Sequence, residues 1–220
     1  MAKAARPLAG GSWVELDALA PADVSGVVLR AAFVAGLSSE ELAEMGLEAA
    51  DIVDADAPPS LPGGLAAGSS LADVNGVPTR TWSTAAITKA ELAAALTDAI
   101  NAERDRLIDA GLTVAGKTYQ TDAESRANII AVGTRAKLAI VGGAQAGDLR
   151  WHGGAADFTW ILADNTTTTL DAQAMAAVFD AGTARKTALI YAARTKKNWV
   201  QNAARTKAEL LAFDVTVDWP

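Results

Sequence analysis

The residues with the clearest chemical potential are 111–118, where Gly-Leu-Thr-Val-Ala-Gly-Lys-Thr matches the phosphate-binding pattern GxxxxGK[ST]. Such a loop binds phosphate because it follows a strand and opens a helix, whose N-terminal N–H groups face the anion. Here the flanking pattern predicts the opposite order, since a helix ends at Gly111 and Lys117 enters a strand. Asp164, which follows an apolar run, is better explained as a turn residue than as a magnesium ligand. We therefore predict a hairpin at this stretch rather than a nucleotide site.

The other titratable side chains form no catalytic pattern. His152 is the only histidine, and the chain has no GxSxG motif that would supply a nucleophilic serine. Three aspartates cluster without the glycine and the final glutamate of a calcium loop, and we predict a solvated helix end there: Asp51, Asp54 and Asp56. Glu103 and Asp105 are predicted to be surface charges. We expect no catalytic, cofactor-binding or metal-binding residue, and no enzymatic activity.

Composition limits the classes of protein further. The 220 residues include 51 alanines and no cysteine, which excludes a disulfide scaffold and a Cys-ligated metal site. No apolar stretch is long enough to predict a spanning helix, and no apolar run follows the basic start to suggest a signal peptide. Because alanine buries little area, the core per residue is thin, and we predict a homo-oligomer. A trimer is favoured by analogy with fibre proteins.

Charge is distributed unevenly along the chain. Residues 1–75 have a net charge of −8, whereas residues 185–207 contain seven basic side chains and no acidic one. This basic stripe and nearby tryptophans provide the candidate interface residues: Arg194, Lys197, Arg205, Trp199 and Trp219. The stripe either is a solvated face or contacts acidic surface, within the same subunit or on a neighbouring chain. A nucleic-acid site is disfavoured, because the net charge of the chain is −7 and few aromatic residues interleave with the bases.

The pattern of elements predicts an α+β fold that is mostly helical, with small antiparallel hairpins and a long C-terminal helix. Residues 1–60 form an N-terminal docking segment or small α+β domain, residues 61–86 a linker with a short hairpin, and residues 87–220 a helical domain. The Pro-Gly-rich run at 56–64 is the basis for the first boundary.

Capping signals predict where most helices begin. Capping boxes at Ser38, Thr88, Thr121 and Thr206 each place a glutamate three residues later, and Asp171 is expected to cap the longest helix. Hairpin turns are predicted at Asn75-Gly76, Ala115-Gly116 and Asp164-Asn165. The last six residues, 215–220, are predicted to be extended.

Several stretches resemble a domain of unknown function that is common in bacteriophages and prophages, encoded beside or within tail-fibre and baseplate genes. The resemblance covers about residues 85–220. It depends on the segments Gly116 to Arg126, Trp160 to Asn165 with Leu170-Asp171, Ala99 to Asp105, and Val215 to Pro220. The resemblance implies no catalytic residues. It also implies that residues 111–118 form a helix stop and a hairpin.

The function implied by this resemblance is a structural or adaptor role in a phage tail, at the level of the baseplate or tail fibre. Such a protein would link or cap fibres at the tail tip, contact other tail proteins, and reside in the virion after synthesis in the host cytoplasm. The alternative is a fibre-assembly chaperone that is not retained in the particle. Neither role requires a cofactor, nucleic acid or membrane insertion.

Overall fold

The computed structural model describes residues 2–17, 22–24 and 26–220, and the chain divides into two compact units, Met1–Thr88 and Lys89–Pro220. Of the described residues, 41% are helical and 22% are in strands. The fold is therefore a mixed α+β fold, and the prediction that it is mostly helical is wrong. Much of the strand content consists of segments of two to five residues, which are too short to show a clear alternating pattern.

The first unit is built from small sheets. Its described strands are β1 (Lys3–Pro7), β2 (Val14–Leu16), β3 (Ala22–Val24), β4 (Val27–Leu29), β5 (Leu47–Asp51), β6 (Val53–Asp54), β7 (Gly68–Val74) and β8 (Val77–Ser83). Strand β1 lies between β2 and β5, antiparallel to both, and β3 pairs with β4. Between β4 and β5 lie two short helices, α1 (Ala31–Val34) and α2 (Ser39–Glu44). The capping box at Ser38 is confirmed, and Gly46, with φ of +72°, turns the chain from α2 into β5.

Strand β1 separates two apolar clusters because its side chains alternate between faces. Ala5 packs into the larger cluster with Leu29 and Leu47, and Ala4 packs into a smaller one with Trp13 and Ile52. Since the central strand contributes only alanine to both clusters, the burial it supplies is small.

Two members of the acidic cluster, Asp51 and Asp54, lie in strands and Asp56 follows in a bend, so the prediction of a helix end is wrong. Asp51 ends β5 and forms an ion pair with Lys3 at 3.1 Å, and Asp54 lies in β6, 3.5 Å from Arg80. The sequence of β5 is Leu-Glu-Ala-Ala-Asp, which consists largely of helix-compatible residues. It forms a strand because β1 offers a paired partner along its whole length.

The predicted hairpin at Asn75-Gly76 is confirmed, with positive φ at both turn residues. Strand β8 also pairs in parallel with β6, so the three-stranded sheet has the order β6-β8-β7. Residues 61–86, predicted to be a linker with a short hairpin, contribute two strands to the first unit, and the two compact units divide after residue 88.

The second unit contains three long helices and a short one: α3 (Lys89–Asp109), α4 (Ala123–Val141), α5 (Ala172–Val200) and α6 (Lys207–Leu211). Helix α5 is the centre of the unit, because both α3 and α4 pack along it. Asp171 caps α5, and Thr206 forms a capping box with Glu209 at α6, as predicted. Helix α4 begins one residue later than predicted, with Asp122 as its N-cap.

The change at the start of α4 has a tertiary cause. The hydroxyl of Thr121 accepts a hydrogen bond from the backbone N–H of Gly111 at 2.8 Å, so it connects the end of α3 to the start of α4. Asp122 then accepts from the N–H groups of Glu124 and Ser125, both at 3.0 Å. These bonds and one from the Ser125 hydroxyl lower the pKa of Asp122.

Two hairpins complete the second unit. Strands β9 (Leu112–Val114) and β10 (Lys117–Tyr119) pair antiparallel, as do β11 (Thr159–Ile161) and β12 (Thr167–Thr169). Both turns were predicted. The hairpins are joined by a hydrogen bond from the N–H of Ala163 to the carbonyl oxygen of Thr118 at 2.9 Å.

The core of this unit lies between the hairpins and the facing sides of α4 and α5, and includes Tyr119, Trp151, Met175 and Val178. Burial raises the pKa of the Tyr119 hydroxyl. Gly133 of α4 faces Phe179 of α5, whose β-carbon would lie 2.4 Å from a β-carbon added to the glycine.

The final residues do not form the predicted extended segment. Residues 215–218 form a bend, and Asp218 has φ of +56°. The indole N–H of Trp219 donates to the carbonyl oxygen of Val215 at 2.7 Å, and the amine of Lys196 donates to that of Val217 at 2.6 Å. The Trp219 bond therefore bends the terminal segment on itself, and the Lys196 bond attaches that segment to α5.

Candidate interaction surface

Residues 111–118 have the letters of a phosphate-binding loop but not its geometry. The pattern begins after α3 and ends inside β10, and its centre is the tight turn at Ala115 and Gly116, with φ of +49° and +75°. The amine of Lys117 donates to the hydroxyl of Thr168 at 2.5 Å, which connects the two hairpins. Because no helix begins at the pattern, its N–H groups do not converge as phosphate binding requires.

His152 lies in an aromatic cluster rather than in a catalytic triad. Its ring packs edge-on against Trp151 and Phe158, with centroids 5.9 and 5.4 Å away. The Nδ1 atom is buried, and no hydrogen-bond partner among the described residues reaches it. The backbone carbonyl oxygen of His152 accepts from Arg135, so the residue positions the loop after α4.

Glu103 and Asp105 of α3 pair with neighbouring arginines. Glu103 accepts two hydrogen bonds from Arg106, both at 2.7 Å, and these lower the pKa of its carboxyl group. Asp105 accepts two from Arg104, both at 2.8 Å. No group of three or more possible metal ligands occurs in the part of the chain that the structure describes.

The basic stripe does not form one exposed row. The amine of Lys197 donates to Asn101 of α3 at 3.0 Å, and Arg205 donates to Glu209 at 3.1 Å. Arg185 donates to the carbonyl oxygen of Gly111 at 2.8 Å. Arg194 is exposed. Several members of the stripe thus stabilise the second unit itself.

Three of the predicted interface residues lie together in a cluster at the end of the chain. The Arg205 guanidinium lies 4.3 Å from the centroid of the Trp199 ring, which stacks on Phe213 at 4.9 Å. The amine of Lys196 lies 5.2 Å from the centroid of Trp219. We call these five residues the C-terminal cluster. All five are partly buried, so the cluster fastens the chain end and presents only part of each side chain outward.

A groove opens between the end of α3, the start of α4 and the middle of α5. It is open to solvent and has a volume of about 60 Å³, and its lining includes Ile129, Phe179 and Leu189. The two arginines at its rim are already engaged, Arg126 with Asp109 and Arg185 with the backbone. The groove can therefore bind an apolar side chain. The described residues of its lining do not bring together a proton donor and a proton acceptor for acid–base catalysis.

The outward side of α4 was not singled out from the sequence. Three of its large apolar side chains are strongly exposed: Ile130 at 54%, Leu138 at 68% and Val141 at 87%. In the sequence of this helix, apolar residues recur on two opposite sides, and this pattern is the signal that could have indicated a second apolar face. A soluble helix with a single buried face has polar residues opposite that face.

A model of the domain of unknown function DUF4376 matches residues 91–217. The match covers more than half of the chain, and the protein belongs to this family. No curated protein and no solved structure gives a significant match. None of the described helices combines the length and the apolarity needed to cross a bilayer.

Proposed function

We propose that this protein is a structural or adaptor subunit of a bacteriophage tail, at the level of the baseplate or tail fibre. It acts without a cofactor, as a homo-oligomer with a trimer favoured, and contacts other tail proteins. It is made in the host cytoplasm and retained in the virion. Neither nucleic acid nor a membrane is a partner.

The observation that carries this proposal is the exposed apolar surface of the second unit, above all on α4. Large apolar patches on a soluble protein are characteristic of surfaces that bind other proteins. The resemblance of residues 85–220 to a domain encoded with tail genes indicates which assembly these surfaces serve. Unit one supports the same role, since Val28 and Phe33 are 65% and 54% exposed.

The test is mass spectrometry of purified virions from the phage or induced prophage that encodes the chain. We expect its peptides at a ratio to the major tail proteins that stays constant through repeated gradient purification. Peptides that are abundant in the infected-cell lysate but absent from purified particles would contradict the proposal and favour an assembly chaperone. Particles from a deletion mutant provide the control, because they must lack these peptides, and complementation with the gene should restore them.

A further inference from the structure

Helix α4 has two apolar faces, and only one of them is covered within the chain. Ile129, Gly133 and Ala136 form the inner face against α5 and are buried. On the opposite side is a second row, which we call the outer row: Ala127, Ile130, Ala131, Thr134, Leu138 and Val141. With 100° of rotation per residue, this row is centred nearly opposite the inner face. Each of its members is exposed.

The charged residues of α4 lie only at the borders between these two faces. Arg126 and Lys137 occupy one border, and Glu124 and Arg135 lie on the other. The three basic side chains have partners inside the second unit, namely Asp109, Asp180 and the carbonyl oxygen of His152. A helix that is apolar on opposite sides is typical of a position between two packed layers.

The spacing of the outer row indicates what covers it. Residues 127, 131, 134, 138 and 141 are separated by steps of four and three, which is the 3.5-residue repeat of a helix packed along another helix. Alanine and threonine at the first three positions allow close approach, and leucine and valine fill the space at the other end. The occupant is therefore a helix lying along α4.

We propose that the outer row of α4 packs against the same row in other copies of this chain. This inference deepens the homo-oligomer of the proposed function by naming the surface. The outer row contains no charge, so identical rows face each other without like-charge repulsion. The bordering basic side chains are already engaged within their own unit, Arg126 and Lys137 in ion pairs and Arg135 in a hydrogen bond to a carbonyl oxygen, so charge does little to select a partner of opposite sign.

The size of the surface favours three copies over two. Nineteen residues of helix extend about 28 Å. One helix pair of that length falls at or below the about 1,200 Å² that marks the lower limit of standard interfaces. In a three-fold arrangement each α4 contacts two neighbours, and each copy buries more of its outer row.

Sedimentation velocity of the purified full chain between 1 and 100 µM (about two decades of concentration) tests the inference. We expect a concentration-dependent oligomer for the wild type. Leu138→Glu places a carboxylate in the proposed contact between outer rows and is expected to weaken self-association at least about a hundredfold. Ile161→Glu is the matched control, because Ile161 lies in β11, is 59% exposed and is not in the outer row. It should assemble like the wild type.

Circular dichroism of each variant separates loss of assembly from loss of fold. A monomeric wild type throughout this range would overturn the inference, as would equal assembly of Leu138→Glu and the wild type. A loss of assembly in Ile161→Glu equal to that in Leu138→Glu would also contradict it, because the effect would not be specific to the outer row.

A cross-linking variant makes the test independent of Leu138. The chain has no cysteine, so Thr134→Cys introduces a single thiol near the middle of α4. Under mild oxidation we expect a disulfide-linked dimer in Thr134→Cys and none in Ala102→Cys, which lies at an exposed position of α3. Equal cross-linking of the two variants, or none in Thr134→Cys, would contradict the inference.

These measurements use purified protein without other phage components, so they separate this inference from the proposed function. A chain that self-associates through α4 but is missing from virions supports the inference and contradicts the tail role. A chain that is present in virions but monomeric at every concentration supports the tail location, and it contradicts both the inference and the homo-oligomeric state in the proposed function.

Discussion

Gly133 allows α4 and α5 to pack closely, and its replacement gives a direct test of that contact. A β-carbon at this position would lie 2.4 Å from the β-carbon of Phe179, so the helices must move apart in Gly133→Ala. We expect about 1–3 kcal/mol of overpacking cost, which exceeds the gain of about 1 kcal/mol in helix propensity. Urea denaturation should show a net loss of unfolding free energy.

Gly182→Ala is the matched control within α5. An added β-carbon there would be 3.5 Å from the Leu112 side chain, an ordinary contact, so helix propensity should dominate and the stability should stay level or rise. If Gly133→Ala were as stable as Gly182→Ala, the close approach of α4 to Phe179 would be wrong.

Single residues also show where sequence reasoning succeeded and where it did not. The caps at Ser38, Asp171 and Thr206 follow from local side-chain chemistry and are confirmed. The cap of α4 could not be assigned locally, because Thr121 and Asp122 each fit a capping pattern. The Thr121 hydroxyl does not cap α4 because it accepts a hydrogen bond from Gly111, ten residues earlier. The sequence around Thr121 gives no sign of that bond.

The N-terminus of α4 gives a prediction about pH. Hydrogen bonds from Ser125 and Glu124 lower the pKa of Asp122 in the folded state below the ordinary value of 3.8. A lowered folded-state pKa contributes stability that is complete above the unfolded value of about 3.9 and is lost as the pH falls through the folded value. Asp122→Asn should therefore be less stable than the wild type at pH 7, with a difference that shrinks below about pH 4.

Chemical denaturation at pH 7, 5 and 3 (values spanning about 3.9) measures this difference. Asp98→Asn makes the same charge change at an exposed position of α3 and controls for net charge. A difference between Asp122→Asn and the wild type that stays constant from pH 7 to pH 3 would refute the role assigned to the ionised carboxylate.

Among the elements, the long helices and the hairpins were predictable, whereas strands β5 and β6 of the first unit were not. Helices α3, α4 and α5 each span at least 19 residues with periodic apolar positions, and the turns follow from Asn75, Gly116 and Asn165, which tolerate positive φ. Strands β5 and β6 depend on pairing with β1 and β8, which are distant in sequence. Short segments rich in alanine carry no period that would reveal such pairing.

The division of the molecule into two units predicts which fragments fold. The apolar core that joins the hairpins to α4 and α5 lies entirely within Lys89–Pro220. We expect a fragment of residues 89–220 to be soluble and to show a cooperative thermal transition by circular dichroism at 222 nm (an unfolding enthalpy of about 90 kcal/mol is typical for this length). A fragment that remains unfolded would show that the second unit depends on the first.

A fragment of residues 61–220 provides the comparison. It would carry β7 and β8 without β6, their neighbour in the sheet, and should gain no stability over residues 89–220. An increase in its transition temperature would contradict the assignment of residues 61–86 to the first unit.

For the molecule as a whole, candidate interface residues were chosen from the sequence by charge and aromatic character. In the structure, most of them contact other residues of the second unit. Lys197 and Arg205 contact Asn101, Glu209 and Trp199. Charge segregation could not distinguish contacts within a unit from contacts between chains. The outer row of α4 needed the structure, because only the packing against α5 identifies which apolar face remains uncovered.

The two faces of α4 also separate the time course of folding from that of assembly. The inner face is completed by α5 of the same chain, so its formation is first order and independent of dilution. Association through the outer row is second order, so its half-time lengthens as the protein is diluted. At low protein concentration, association of the folded chains would therefore be the slowest step. Substitutions on the inner face would change the folding rate, and substitutions in the outer row would change the association rate.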